Sequence, residues 1–245
     1  MAALSYDSPE TLRAFAERHD ITFTLMSDPG SKTIDAWGLR NQQAEGRDVG
    51  IPHPGIFIID PEGRIVERAF EANYRERNTA SSILARLGVE IPAEALSSAE
   101  GRQVSVKAGT SDAVAAPGVR LSLIADVTPG EKMHVYAPDQ DGYIPVTLTL
   151  EDSDDFKLAA PVEFPSPGSY YFEPLDETVA VYTEPFRIRQ EITLSLSREF
   201  RARATARETL TVKGTLAYQA CDDAVCYRPD SIPLTWTVSL VPFQR

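Results

Sequence analysis

From residue 103 onward the apolar residues recur at every second position in short runs broken by Pro and Gly, and no stretch shows the three-to-four-residue spacing of a helix. Side chains alternate across a strand, so each run has one apolar face to bury, and many short runs bury those faces against one another. Residues 119–127, 132–137, 146–150, 179–182, 186–196, 208–220 and 232–241 are the clearest. Short strands at such spacing specify a two-sheet β-sandwich over residues 103–245.

The first ninety residues follow a different rule, with strand and helix signals taking turns. Residues 2–6 form a short apolar run, and Asp7 or Ser8 with Pro9 behind it starts a helix that Leu12, Phe15 and Ala16 carry to His19. Residues 23–26 suit a strand, 27–30 a turn, and 33–37 a short helix closed by Gly38. Residues 55–60 are continuously apolar, as in a strand buried on both faces, and a turn at 61–63 leads into a second strand over 64–70. A helix over 78–87 presents Ile83, Leu84 and Leu87 on one face. These signals describe an α/β domain over residues 1–90. Residues 91–102, small and polar without a β pattern, read as the linker.

Composition removes several functions. With 42% hydrophobic and 24% charged residues a core can form, and no apolar run approaches the roughly 18–20 residues of a membrane helix. A net charge of -12 argues against nucleic acid, whose phosphates need clustered Lys and Arg. The N-terminus has neither the basic nor the apolar region of a secretory signal. His19, His53 and His134 are scattered, and Asp139, Asp141, Asp152, Asp154 and Asp155 lack calcium-loop spacing, so no metal or other cofactor is expected.

The chemistry lies in the only two cysteines, Cys221 and Cys226. A strand runs into Cys221, four residues follow, and Cys226 opens the return toward residues 232–241, which suits a disulfide across a short hairpin loop. A ring that small stabilises a fold by only about 2 kcal/mol in the loop-closure model. The spacing fits an inert bridge, two free thiols, or a pair that is made and broken. Asp222 and Asp223 oppose thiolate formation by charge repulsion, so exchange would depend on a partner that supplies the attacking thiolate.

The block from Tyr218 to Pro229, together with His134-Val-Tyr-Ala-Pro138 and Gly142-Tyr-Ile-Pro-Val146, resembles the N-terminal domain of the thiol:disulfide interchange protein DsbD. The resemblance covers about residues 104–243. It implies an immunoglobulin-like sandwich in an extracytoplasmic compartment, which takes electrons from a thioredoxin-like partner and passes them to disulfide proteins. Cys221 and Cys226 would be the active pair, with Tyr218, Asp222, Asp223 and Tyr227 supporting it. The family shields its disulfide with an aromatic cap loop. Residues 170–176 stand where that loop should be, which makes Phe172 and Leu175 its candidates.

Residues 2–87 resemble the alkyl hydroperoxide reductase/thiol-specific antioxidant (redoxin) family of the thioredoxin fold, through segments 4–10, 25–30 and 54–63. That resemblance gives Pro54 the place of a cis-proline beside a redox site. It also implies a central strand and catalytic cysteine upstream of Ala2, the strand lying between segments 2–6 and 55–60. The domain therefore reads as an incomplete sheet, and the chain as a fragment of a longer protein. Three functions compete: a thiol-disulfide exchange module, a peroxiredoxin-like antioxidant protein with its nucleophile elsewhere, and a non-catalytic scaffold with a structural bridge. No peroxidase activity is expected of this chain alone.

Overall fold

The computed structural model describes residues 1–46, 49–70, 75–138, 140–172 and 176–242, and divides into two units, Met1–Tyr74 and Arg75–Arg245. Among the described residues no helix is long and apolar enough to cross a membrane.

The first unit runs β1 (Ala2–Ser5), α1 (Pro9–Arg18), β2 (Thr24–Ser27), α2 (Lys32–Ala36), β3 (Gly55–Ile59) and β4 (Ile65–Phe70). Ser8 caps α1 by accepting the Thr11 N–H at 3.3 Å, with Pro9 in the first turn where its missing donor costs nothing. Asp28 does the same for α2 with both oxygens, taking the N–H groups of Lys32, Thr33 and Ile34 at 2.9–3.0 Å. β1 pairs with β2 in parallel and β3 with β4 as a hairpin turned at Gly63, whose φ of 83° suits a residue without Cβ. Among the described residues these are two separate two-stranded sheets. The sheet is incomplete, as the redoxin resemblance implies. The strand over residues 55–60 is not buried on both faces. Ile56 and Ile59 are exposed, since among the described residues the two-stranded β3–β4 sheet leaves them uncovered. Phe70 instead lies over Gly55, where a Cβ would stand 2.1 Å from its ring, and packs edge-on against Phe57.

The second unit runs β5 (Arg77–Asn78), α3 (Ala80–Arg86), β6 (Glu94–Glu100), β7 (Val104–Thr110), β8 (Val114–Ala115), β9 (Val119–Pro129), β10 (His134–Tyr136), β11 (Thr147–Leu150) and β12 (Phe156–Leu158). It continues with β13 (Gly168–Phe172), β14 (Glu177–Tyr182), β15 (Phe186–Leu194), α4 (Arg198–Thr205), β16 (Thr209–Tyr218), β17 (Ala220–Cys221) and β18 (Asp230–Leu240). One sheet has the order β12-β15-β9-β7-β6 with β5 beside β9, a second β11-β16-β18-β8, and a third β13-β14-β10-β17. Their inner faces meet in one core, and Trp236 of β18, fully buried, donates its indole N–H to the Ile124 carbonyl of β9 at 2.8 Å. This is a β-sandwich.

Three features differ from the sequence reading. The residues taken as a linker, 91–102, contain β6, paired antiparallel with β7. It is an exposed edge strand, so it has no apolar face and shows no alternation. The helix over 78–87 belongs to the second unit, since β5 joins β9 and Arg86 reaches Glu191 of β15 at 3.4 Å. It buries Ser82, Ile83 and Ala85, while Leu84 and Leu87 face outward. Finally, α4 interrupts the supposedly helix-free half. Ser197 caps it through the Phe200 N–H at 3.1 Å, and it buries only Phe200 and Ala204, too little to register as periodicity.

Phe200 fills the core from that helix, so Phe200→Ala should cost about 3–5 kcal/mol, and loss of the cap in Ser197→Ala about 1 kcal/mol. Urea unfolding followed by circular dichroism measures both. Equal costs would contradict this placement.

Candidate functional site

The site is built on the third sheet. Val135 pairs with Ala220 on one side and Tyr182 on the other, and all three side chains enter the main core. The alternate residues must then face outward. His134 lies opposite Cys221 and Tyr136 opposite Val181, and this outer face forms a second cluster with Val179, Tyr143 and Tyr170.

Beyond Cys221 the chain turns back at once. The Asp222 N–H bonds the Val225 carbonyl at 3.0 Å and the Tyr227 N–H bonds the Ala220 carbonyl at 2.9 Å, so Cys226 is the cross-strand partner of Cys221. The two form a disulfide with Cα atoms 4.0 Å apart. Asp222 stabilises the loop by accepting the N–H groups of Ala224 and Val225 at 2.8 and 2.7 Å, and the Tyr227 hydroxyl at 2.9 Å. These donors hold its carboxyl below the ordinary range, and the same contact pushes the Tyr227 hydroxyl up.

The second aspartate is also engaged. Asp223 accepts the Tyr170 hydroxyl at 2.7 Å, tying β13 to the hairpin and raising that phenol's pKa. The Tyr136 hydroxyl donates to Cys226 Sγ at 3.7 Å, and Tyr143 stacks on the Tyr136 ring at 4.1 Å while donating to Glu177. Burial, then the charge of Glu177, pushes Tyr136 up. The two cysteines differ sharply in access: Cys221 is 1% exposed, whereas Cys226 is open to solvent.

The profile of the thiol:disulfide interchange protein DsbD N-terminal domain matches residues 104–235, more than half of the chain and the whole of this site. The chain belongs to the DsbD N-terminal family. The AhpC/TSA family profile matches residues 1–68. Proteins named as peroxiredoxins in two strains of Mycobacterium tuberculosis, CDC 1551 and H37Rv, are 34% identical over 67 residues, covering 27% of this chain and 43% of theirs. The chain thus spans less than half the length of these curated relatives. Among solved structures, the N-terminal periplasmic domain of ScsB from Proteus mirabilis overlaps 58% of this chain and 49% of its own at 12% identity and a TM-score of 0.35. The GAE domain of GGA2p from Saccharomyces cerevisiae overlaps 61% and 99% at 7% identity and a TM-score of 0.28.

Within this DsbD-type hairpin the structure gathers Cys221, Cys226, Asp222, Asp223 and Tyr227. Tyr218 is not among them. It belongs to the main core and donates to Asp230 at 3.2 Å, and burial with the Asp230 charge pushes its pKa to about 12. Tyr218 and Ala220 stand two positions apart, so both point inward. Of the cap-loop candidates, Phe172 pairs with Glu177 near the end of the β13–β14 hairpin, and Leu175 lies outside the described residues. Tyr170, two residues before Phe172, is the aromatic that meets the disulfide hairpin. Pro54 belongs to the first unit and its peptide bond is trans, the default isomer where nothing enforces cis. His53 lines an open groove of about 760 Å³ there with Trp37, Phe57, Arg68 and Phe70. In the sequence His134 and Tyr136 stand out only within a motif, and His134 as one of three scattered histidines. Their place opposite the disulfide follows from a pairing between distant segments.

Asp222 carries a testable linkage. Its folded pKa is depressed, so its contribution is present above the ordinary value of 3.8 and is lost as pH falls through the lower folded value. In an NMR titration the Ala224 and Val225 amide protons should shift together with a midpoint below 3.8, and Asp222→Asn should abolish that transition. A midpoint at or above 3.8 would contradict the geometry.

Proposed function

We propose that this chain is a thiol-disulfide exchange module that passes an electron pair through Cys221 and Cys226 between a thioredoxin-like protein and client disulfides outside the cytoplasm. The observation that carries the reading is the unequal burial of the two cysteines in one disulfide. A partner thiolate attacks the accessible Cys226 Sγ, a mixed disulfide forms there, and the electron pair of the broken S–S bond goes to Cys221 Sγ. The partner's second thiolate then releases Cys226, leaving a dithiol for the next disulfide. An inert staple has no need of one exposed cysteine beside a sheltered one. Family membership supports the reaction class and the compartment.

The peroxiredoxin likeness of residues 1–68 does not add peroxidase chemistry to this chain, because no cysteine precedes Cys221. The chain should consume no hydroperoxide beyond the slow background of an ordinary thiol, read by peroxide loss in the presence of a dithiol.

Redox titration of the chain, with thiols alkylated and counted by mass, should place the pair at about -180 to -270 mV, as for exchange proteins. A bridge still closed below about -300 mV would instead be a structural staple. Cys221→Ser should trap a thioredoxin-like partner as a mixed disulfide at Cys226, and Cys226→Ser should trap none.

A further inference from the structure

We propose that His134 handles the proton of Cys221: its neutral imidazole accepts the Sγ–H proton as that thiol closes onto Cys226, and returns it when the bridge opens. The inference rests on the exchange reading above and adds a residue from a different strand.

His134 is 3% exposed, and no hydrogen bond among the described residues occupies its ring nitrogens, which keep a trace of solvent contact. It is the antiparallel register partner of Cys221, on the same face of the sheet, where opposed Cβ atoms stand about 4.5–5.5 Å apart. Tyr136 meets its ring edge-on at 5.4 Å and Tyr170 lies tilted against it at 4.8 Å, so the imidazole is held on the face of the sheet that carries Cys221.

The surrounding charges favour this assignment over any neighbour. The groups that face His134 are Cys221 on β17, Asp222 and Asp223 in the hairpin loop, Tyr136 on its own strand and Tyr170 on β13, with Glu177 of β14 acting on Tyr136. Both tyrosines are pushed above their ordinary pKa and stay protonated. Asp222 is occupied by three donors and Asp223 by Tyr170. Burial holds His134 below 6.5, so it is a free base at neutral pH, and the two aspartates, which partly oppose that shift, favour the imidazolium once it forms.

The step balances. In a mixed disulfide Cys226 Sγ is joined to a partner sulfur and Cys221 is a thiol. His134 takes the Cys221 proton, and the thiolate's electron pair forms the bond to Cys226 Sγ. The bond from Cys226 to the partner sulfur breaks, its pair leaves as the partner's thiolate, and the imidazolium releases its proton to solvent. The cysteine pair has lost two electrons and two protons, the first proton having left Cys226 when the mixed disulfide formed.

The test uses the whole reduced chain, loaded at about pH 4 with one equivalent of 2,2′-dithiodipyridine to form the thiopyridyl adduct at Cys226, then jumped to pH values from about 5 to 10. Ring closure is followed by loss of adduct mass in acid-quenched samples. Closure in the native chain should rise through an inflection below 6.5 and then run flat through neutrality. In His134→Gln it should climb tenfold per pH unit toward the ordinary cysteine pKa of about 8.5, leaving it at least about tenfold slower at pH 7 and equal in alkali. Identical profiles in a variant whose circular dichroism is native would overturn the role of His134 and leave the exchange reading intact. Should the variant not fold, the native profile decides alone: a tenfold climb per unit through neutrality overturns the proposal. If no adduct forms at Cys226, or none ever closes, the exchange reading fails and takes this inference with it.

Discussion

The register of β10 against β14 and β17 decides nearly everything that matters at the site. Three residues in a row, His134, Val135 and Tyr136, must serve two environments, and strict alternation divides them. Val135, with Ala220 and Tyr182, closes the main core, and that burial pins the register because a slip of one residue would turn His134 into the main core and Val135 out of it. Once Val135 is fixed, the disulfide has no freedom. Cys221 must face outward, beside His134 and against the phenol ring of Tyr136. The hydrophobic core therefore positions a disulfide that takes no part in it.

The outer face adds aromatic rings and hydroxyls to the aliphatic side chains of Val179 and Val181. Tyr143, Tyr136, His134 and Tyr170 form a continuous series of ring contacts over the sheet, each of 4.1–5.4 Å between centroids. Their hydroxyls reach Glu177, Cys226 and Asp223, so the cover is tethered at several points around the bridge. Such rings shelter Cys221 with few rotatable bonds, while the hairpin loop, held by Asp222 from within, leaves Cys226 outside. Access to one sulfur and shelter for its partner come from the same few contacts.

How much of this could be read from the sequence depended on how local its cause was. Strands with one buried and one exposed face, such as β16 and β18, alternate almost perfectly and were legible at once. β6, exposed on both sides, left no such trace, and α4 left only a serine cap and two buried positions. The hairpin between Cys221 and Cys226 was legible because its turn, its capping aspartate and both cysteines lie within a few residues. His134 was not legible as a site residue, since nothing near it in sequence indicates that β17 will become its neighbour. Tyr218 failed the other way. It sits beside the cysteines in sequence, and alternation sends it into the core with Ala220.

The same distinction between chemistry and framework accounts for the first unit. Its likeness to peroxiredoxins is carried by residues whose work in this structure is architectural. Asp28 satisfies the first turn of α2 with both oxygens, and Ser8 and Pro9 open α1. Gly55 leaves room for the ring of Phe70, which in turn meets Phe57. None of these residues needs a thiol to do what it does. A sequence match built on caps, turns and close ring contacts reports that the chain bends and packs in a familiar way, and it is silent about reaction. The only cysteines stand on the other unit, in a hairpin that buries Cys221 and exposes Cys226. The match to the DsbD N-terminal family covers both of them, whereas the AhpC/TSA match covers a stretch that contains no cysteine.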